Sequence, residues 1–243
     1  MKAVIFAAGF GTRLKPLTNE KPKALIKIHG HTLLELAIRQ FQKFNINQFV
    51  INIHHFADQV AEYLNSHNNF GAEIILSDER QKLLDTGGGL IKMQKYLSDD
   101  DFLIMNVDIL SSIDFTALMN FHRQSNSLAT LAIRNRTTSR YLLFDDHFKL
   151  RGWKNKKTGE ALYTSPLKND LKAFAFSGIH AVSPEIFKYA PQQEVFSIVN
   201  WYLDLAKNHK LSGFLHNRDE WLDVGKLPVL EKAEKYIKHT HLL

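Results

Sequence analysis

Four cations crowd one short stretch near the start of the sequence: Arg13, Lys15, Lys21 and Lys23, within "AAGFGTRLKPLTNEKPKAL" at 7 to 25. The stretch follows the apolar run "MKAVIF", and little in it is expected to pack, so it reads as a flexible cationic loop pinned by Pro16 and Pro22. Glycines in "GFGTRL" would let backbone N–H groups come close to an anion at the end of a strand. More positive charge stands here than a single phosphate requires, and the chemistry it suggests is the grip on a triphosphate. Two familiar glycine loops are excluded. A dinucleotide fingerprint needs glycine where Leu14 stands and a helix that Pro16 and Pro22 block; a Walker A loop needs Gly-Lys-Ser/Thr after four residues. A surface loop with solvated lysines is the plainer alternative.

Asp108 closes the apolar run "DFLIMNV" and is expected at the mouth of a sheet beside the glycine loop, where a carboxylate could hold a cation. The plainer alternative is a turn or helix cap, since Ser111, Ser112 and Asp114 follow. "TGGGL" at 86 to 90 starts a helix with three flexible residues, which would let its backbone approach a flat ring and a sugar closely. His54 and His55 have no zinc-ligand spacing and read as pocket-edge or surface residues. Trp153, Trp201 and Trp221 read as packing residues, with Trp221 placed to wall a site near Asp223. The tail "HTHLL" reads as a frayed end.

These residues need a scaffold, and the first half of the chain supplies one pattern. Apolar runs of strand length, "AVIFA", "QFVINI", "AEIILS" and "DFLIMNV", alternate with helical stretches. Continuous apolar strands separated by helices imply an α/β fold, a mostly parallel sheet covered on both faces that binds ligands at the carboxyl ends of its strands. The second half reads as a meander, "LATLAIR", "YLLFDD" and "KLRGW", then a mobile polar loop "KNKKTGEALYTSPLKND", a strand "LKAFAFSGIHAVS", and a helix from Pro184 to about Lys207. A short strand "LSGFLH" and a closing helix follow. No linker or repeat interrupts the chain, so the expectation is a single domain over 1–243.

The totals exclude more than they assign. The 243 residues carry 31 basic and 25 acidic side chains, a formal charge of +6 that favours anionic partners. No basic block resembles a nucleic-acid patch, so no nucleic-acid partner is expected. The chain has no cysteine, which excludes disulfides, thiol catalysis and cysteine-ligated zinc. No stretch approaches the length of a membrane span, so no membrane partner and a cytoplasmic location are expected.

The first motif resembles the signature of the sugar-1-phosphate nucleotidyltransferases, a G-x-G-T-R-L-x-P-L-T run followed by a Pro-Lys pair. The resemblance continues in family order through "LLDTGGGL" at 83 to 90, "NVD" at 106 to 108, "FSGIHAVSPEIF" at 176 to 187 and "WLDVG" at 221 to 225. It implies a Rossmann-like mixed sheet of the nucleotide-diphospho-sugar transferase type, Mg²⁺ as cofactor, and a nucleoside triphosphate and a sugar 1-phosphate as substrates. It implies that Arg13 holds the triphosphate and the leaving pyrophosphate. Lys23 would bridge the α-phosphate and the incoming sugar phosphate, and Asp108 and Asp223 would hold the metal. Ala7, Ala8, Gly9, Gly11 and Thr12 would bind the nucleotide with Asp78 and Gly87, while Gly88, Asn106 and Gly178 would meet the sugar. Val107 stands where the family usually has glycine, and Lys226 where it has threonine or serine. Within the family, the chain length and the "LDTGGGL" and "DVG" details look most like uridylyltransferases of N-acetylmuramate 1-phosphate in peptidoglycan recycling. Mannose- and heptose-1-phosphate guanylyltransferases share the motifs almost equally, with Asp78 or Glu79 as acceptors for guanine. A catalytically silent nucleotide-sugar sensor is the alternative from another class. The expected state is monomer or homodimer.

Overall fold

The computed structural model describes residues 1–165 and 170–240. In chain order its elements are β1 (Ala3–Phe6), β2 (Lys27–Ile28), β3 (His31–Thr32), α1 (Leu33–Gln42), β4 (Gln48–Ile53), α2 (Ala57–Ser66), β5 (Glu73–Asp78), α3 (Asp85–Lys92), β6 (Phe102–Asn106) and β7 (Ile109–Ser111). There follow α4 (Phe115–Ser125), β8 (Ala129–Arg134), β9 (Arg140–Phe144), β10 (Leu150–Asn155), β11 (Ala161–Tyr163), β12 (Lys172–Val182), α5 (Ile198–Leu205), β13 (Leu211–Leu215), β14 (Trp221–Asp223) and α6 (Leu227–Thr240). The expected α/β class, a mixed sheet with helices, is what forms. Contacts gather the chain into two compact units: one holds Met1–Leu83, Ile104–Phe115 and the chain from Asp219 onward, the other Leu84–Leu103 and Thr116–Arg218.

The first unit is built on parallel strands. β1 pairs with β4 and β4 with β5, in registers Val4↔Val50 and Val50↔Ile75, and β6 lies on the other side of β1. All four residues of β1 are buried, as a strand covered on both faces requires. α1 begins at a Thr32 cap whose Oγ1 accepts from Glu35 N at 3.1 Å, a cap typically worth about 1 kcal/mol. It buries Leu34, Ile38 and Phe41 among others, and the Phe41 ring stacks on Phe115 at 4.4 Å between centroids. β7 and β14 form a separate two-stranded antiparallel ladder.

The second unit is largely antiparallel. β12 pairs with β8 and β9, β9 with β10 and β10 with β11, while β13 runs parallel to β8. Two expectations change here. The segment read as a mobile polar loop contains the end of β10 and all of β11; residues 166–169 of it lie outside the described residues, as do 241–243 of the tail. The helix expected from Pro184 to Lys207 is two pieces, a 3₁₀ turn Pro184–Tyr189 and α5, because Pro191 forces Ala190 into an extended conformation (ψ 129°) between them. Among the described residues no helix is long and apolar enough to cross a membrane.

Candidate functional site

The cationic loop is less loose than its composition suggests. Gly11 adopts φ +65°, and a Cβ there would lie 2.9 Å from both Thr18 Cγ2 and Lys23 Cβ, so only glycine fits the turn. Thr18 Oγ1 donates to Gly11 O at 3.0 Å, and Leu14, Thr18, Ala24 and Ile26 are buried. The loop thus packs through its apolar minority and folds Lys23 back beneath the glycines. A Cβ on Gly9 would have the Lys23 ammonium as its near neighbour, at 4.0 Å.

Lys23, Arg13, Asp108 and Asp223 converge in the first unit. Lys23 Nζ is 2.9 Å from Asp108 Oδ2; Arg13 places Nη2 3.6 Å from Asp108 Oδ2 and Nη1 3.6 Å from Asp223 Oδ2. Asp108 is 6% exposed and Asp223 28%, whereas Arg13 is 54% exposed and reaches outward. A carboxylate as buried as Asp108 requires paired donors, and the lysine ammonium supplies one. The far-apart aspartates are aligned by the β7–β14 ladder, in which Asp223 faces Ile109, and by Val224 N donating to Asp108 O at 2.9 Å. Gly225 completes the arrangement. A Cβ built on it would stand 2.4 Å from Asp108 Oδ2, 3.0 Å from Asp223 Oδ1 and 2.8 Å from Arg13 Nη2, so both carboxylates point at one small space that only glycine leaves open.

Two buried amides outside the motifs hold this cluster, and sequence reading missed both. Gln40 of α1 donates to Ile109 O at 3.1 Å and accepts from Ser111 N at 2.7 Å, clamping the free edge of β7 in place of a strand. Asn52 of β4 accepts from Ala7 N at 2.8 Å and donates to Glu79 Oε1 at 2.8 Å. The signal for Asn52 was a single amide inside the apolar run "QFVINI". With the Ala7 N–H committed to Asn52, the carbonyl of Ala7 is the backbone group it has left to offer.

The remaining candidates divide by unit. Ala8 is buried and Thr12 opens the 3₁₀ turn Thr12–Leu14 that carries Arg13. Asn106 ends β6, and the N–H of Val107 beside it donates to Phe6 O at 3.1 Å. Asp78, at the end of β5, accepts from Arg80 N at 2.8 Å and Arg80 Nε at 2.7 Å, while the neighbouring Glu79 is buried. Lys226 is exposed. His54 and His55 flank the exposed ring of Phe10, at 5.1 and 5.6 Å, and among the described residues no group of three or more His, Asp or Glu could hold a metal.

Gly87, Gly88 and Gly178 belong to the second unit. Packing gives the glycine run a reason of its own: a Cβ on Gly87 would clash with the Phe196 ring, and one on Gly88 with Glu194 O. Gly87 N also donates to Phe196 O at 2.9 Å. The run lets α3 seat against residues 194–196. Gly178, at φ +73°, occupies the register shift of β12 between Phe176 and His180.

A cleft of about 1050 Å³ opens in the second unit. One face of the meander forms part of its lining, in two cross-strand rows: Leu142, Trp153 and Leu162 are apolar, and Arg140 pairs with Asn155, whose N–H reaches Glu160 O at 2.8 Å. Asn200, Asp204 and Lys207 join the lining from α5 and the turn after it, at helical spacing.

The chain belongs to the nucleotidyl transferase family, whose model matches residues 2–240. It is similar to a UTP–glucose-1-phosphate uridylyltransferase of Synechocystis, 28% identical over 94% of this chain, of which it spans only 61%. It is also similar to the N-acetylmuramate α-1-phosphate uridylyltransferase of Caulobacter vibrioides, 27% identical over 92% of this chain and 91% of the relative. A putative mannose-1-phosphate guanyltransferase of Sulfolobus acidocaldarius is 29% identical over 76% of this chain and 49% of its own length. In fold it matches HddC from Yersinia pseudotuberculosis complexed with GMP-PN, with a TM-score of 0.78 over 97% of this chain and 99% of that one at 20% identity.

Proposed function

We propose that the protein transfers a nucleotidyl group from a nucleoside triphosphate to a sugar 1-phosphate. A phosphate oxygen of the sugar 1-phosphate attacks the α-phosphorus, the bond from that phosphorus to the α,β-bridging oxygen breaks, and pyrophosphate leaves. The observation that carries this reading is the convergence of Arg13 and Lys23 on two carboxylates in one cluster. Such a reaction needs positioning and charge neutralisation more than covalent chemistry. Half-exposed Arg13 would swing from its 3.6 Å pairs onto the β- and γ-phosphates, and Lys23, its ammonium near Gly9, would meet the α-phosphate.

The residues present fit a Mg²⁺ ion: the carboxylates of Asp108 and Asp223 converge on the Arg13 guanidinium, each 3.6 Å from it, and a hard cation that keeps several waters needs one or two such ligands plus phosphate oxygens. Bound there by Asp108 and Asp223, the ion would neutralise phosphate charge. Lys23, paired with Asp108 at 2.9 Å, would be the ammonium that meets the substrate phosphate. All four charged residues being in place speaks against a silent sensor.

For the substrates we propose UTP and N-acetylmuramate 1-phosphate, with GTP and a mannose or heptose 1-phosphate as the second reading, since relatives of both kinds match. The commitment of both Asp78 oxygens to Arg80 favours uracil over guanine at that point. The test is pyrophosphate release with Mg²⁺ over UTP, GTP, CTP, ATP and dTTP against N-acetylmuramate, mannose, heptose and glucose 1-phosphates. One productive pair assigns base and sugar; nucleotide binding without turnover on any pair would move the reading to a sensor.

A further inference from the structure

The polar groups of the second unit's cleft are unevenly committed. Asp204 is paired with Lys207 at 2.7 Å, and Asp85 accepts from Thr86 N at 2.6 Å and Thr86 Oγ1 at 3.2 Å. Arg136 donates through Nη2 to Phe176 O at 3.0 Å. Arg140, by contrast, has no side-chain hydrogen bond or ion pair among the described residues, although its row on the meander also carries Glu160. Thr164, 9% exposed on the cleft wall, holds a hydroxyl with no partner among the described residues. An aromatic wall beside uncommitted directional groups is the composition of a small-ligand site. Trp153 offers a flat apolar face of the kind a sugar ring covers, Thr164 offers its hydroxyl, and Asn155, whose Oδ1 accepts from Lys157 N at 3.0 Å, offers its amide N–H₂. The guanidinium of Arg140 matches a carboxylate by its planar fork, and the Glu160 carboxylate suits a sugar hydroxyl or amide N–H.

We propose that this cleft selects a sugar bearing a carboxylate substituent, and that Arg140 is the specificity-determining residue that reads it. The inference rests on the nucleotidyl-transfer reading and narrows its sugar. Neutral mannose, heptose and glucose would leave the guanidinium of Arg140 unmatched.

N-acetylmuramate differs from N-acetylglucosamine by one lactyl ether, and therefore by one carboxylate, which makes the pair a direct probe. With UTP, kcat/KM should favour N-acetylmuramate 1-phosphate over N-acetylglucosamine 1-phosphate by tenfold or more. Arg140→Ala should shrink that ratio by roughly 10- to 100-fold, the range expected for one charge-assisted hydrogen bond. A wild-type ratio near one, or an Arg140→Ala ratio equal to the wild type's, overturns the proposal while leaving nucleotidyl transfer standing. If no sugar phosphate turns over, the transfer reading fails separately. Calorimetric titration with free N-acetylmuramate and N-acetylglucosamine then decides the cleft: preference for the acid, lost in Arg140→Ala, supports it, and equal or absent binding overturns it.

Discussion

The cluster around Asp108 and the cleft beside Trp153 solve different problems with different materials. In the first unit, opposite charges are brought within 4 Å of each other and are satisfied by one another, so what the cluster lacks is a reason for Arg13 to stay half in water. In the second, aromatic and apolar residues build the space, and the Thr164 hydroxyl and the Arg140 guanidinium have no partner among the described residues. A charge cluster that neutralises itself is stable before substrate arrives and is rearranged by it. A cleft with unspent donors waits for a ligand to complete it. Substitutions should therefore cut turnover in the first unit and stability or selectivity in the second.

The largest effect is expected from Asp108→Asn. The change keeps shape but removes the charge that faces Lys23 and the space over Gly225, and turnover should fall by roughly a thousandfold or more, the scale of losing a preorganised electrostatic group. An unchanged far-UV circular dichroism spectrum would separate this from unfolding. Normal turnover would remove Asp108 from the site. Arg13→Ala should follow, with kcat down about 100- to 1000-fold and the melting temperature nearly unchanged, because two 3.6 Å pairs on a half-exposed side chain stabilise the fold little. A stability loss with unaltered kinetics would make Arg13 structural.

Glycines sharpen the contrast, since the same added methyl should do opposite things in the two units. Gly225→Ala pushes a Cβ against the carboxylates of Asp108 and Asp223, flexible ends that can yield, so the fold should persist while kcat/KM drops about 10- to 100-fold by misplacement. Gly88→Ala meets the backbone oxygen of Glu194, which cannot turn aside, and should cost about 1–3 kcal/mol of stability. Urea denaturation and steady-state kinetics on both variants check the pair. If Gly88→Ala proved as stable as the wild type, the packing account of the glycine run would be wrong.

What the sequence made legible follows the same division. The glycine loop and Asp108 could be read because each follows an apolar strand run, whereas Asp223 was legible only through the resemblance carried by "WLDVG". The supports could not. Gln40 acts across the unit on Ile109 and Ser111, and nothing local distinguishes it from an exposed helical glutamine. The cleft was hidden because β11 lies in a stretch so polar that its alternation is masked, and its Leu162 meets Trp153 of β10 only through strand register. Pro191 was the visible warning that the late helix breaks.

The last contrast separates the units by pH. In the second unit His180, fully buried and bonded to Tyr202 Oη at 2.6 Å, is pushed down to about 3 by burial. His216, bonded through Nε2 to Ser177 Oγ at 2.7 Å, is lowered to about 4 by burial and then by the charge of Arg134. An unfolded chain takes up protons on both near pH 6.5, while the folded chain keeps both neutral, so between pH 6.5 and about 4 the unfolded state binds more protons and stability falls as pH falls. At pH 5 each histidine should weaken the fold by about 2 kcal/mol, a large part of a typical domain's stability. Urea midpoints should therefore drop between pH 7.5 and 5, and His216→Gln, which keeps a polar side chain without the titration, should show a shallower decline. A midpoint that does not fall over this range would mean that burial does not hold these two rings neutral in the folded protein.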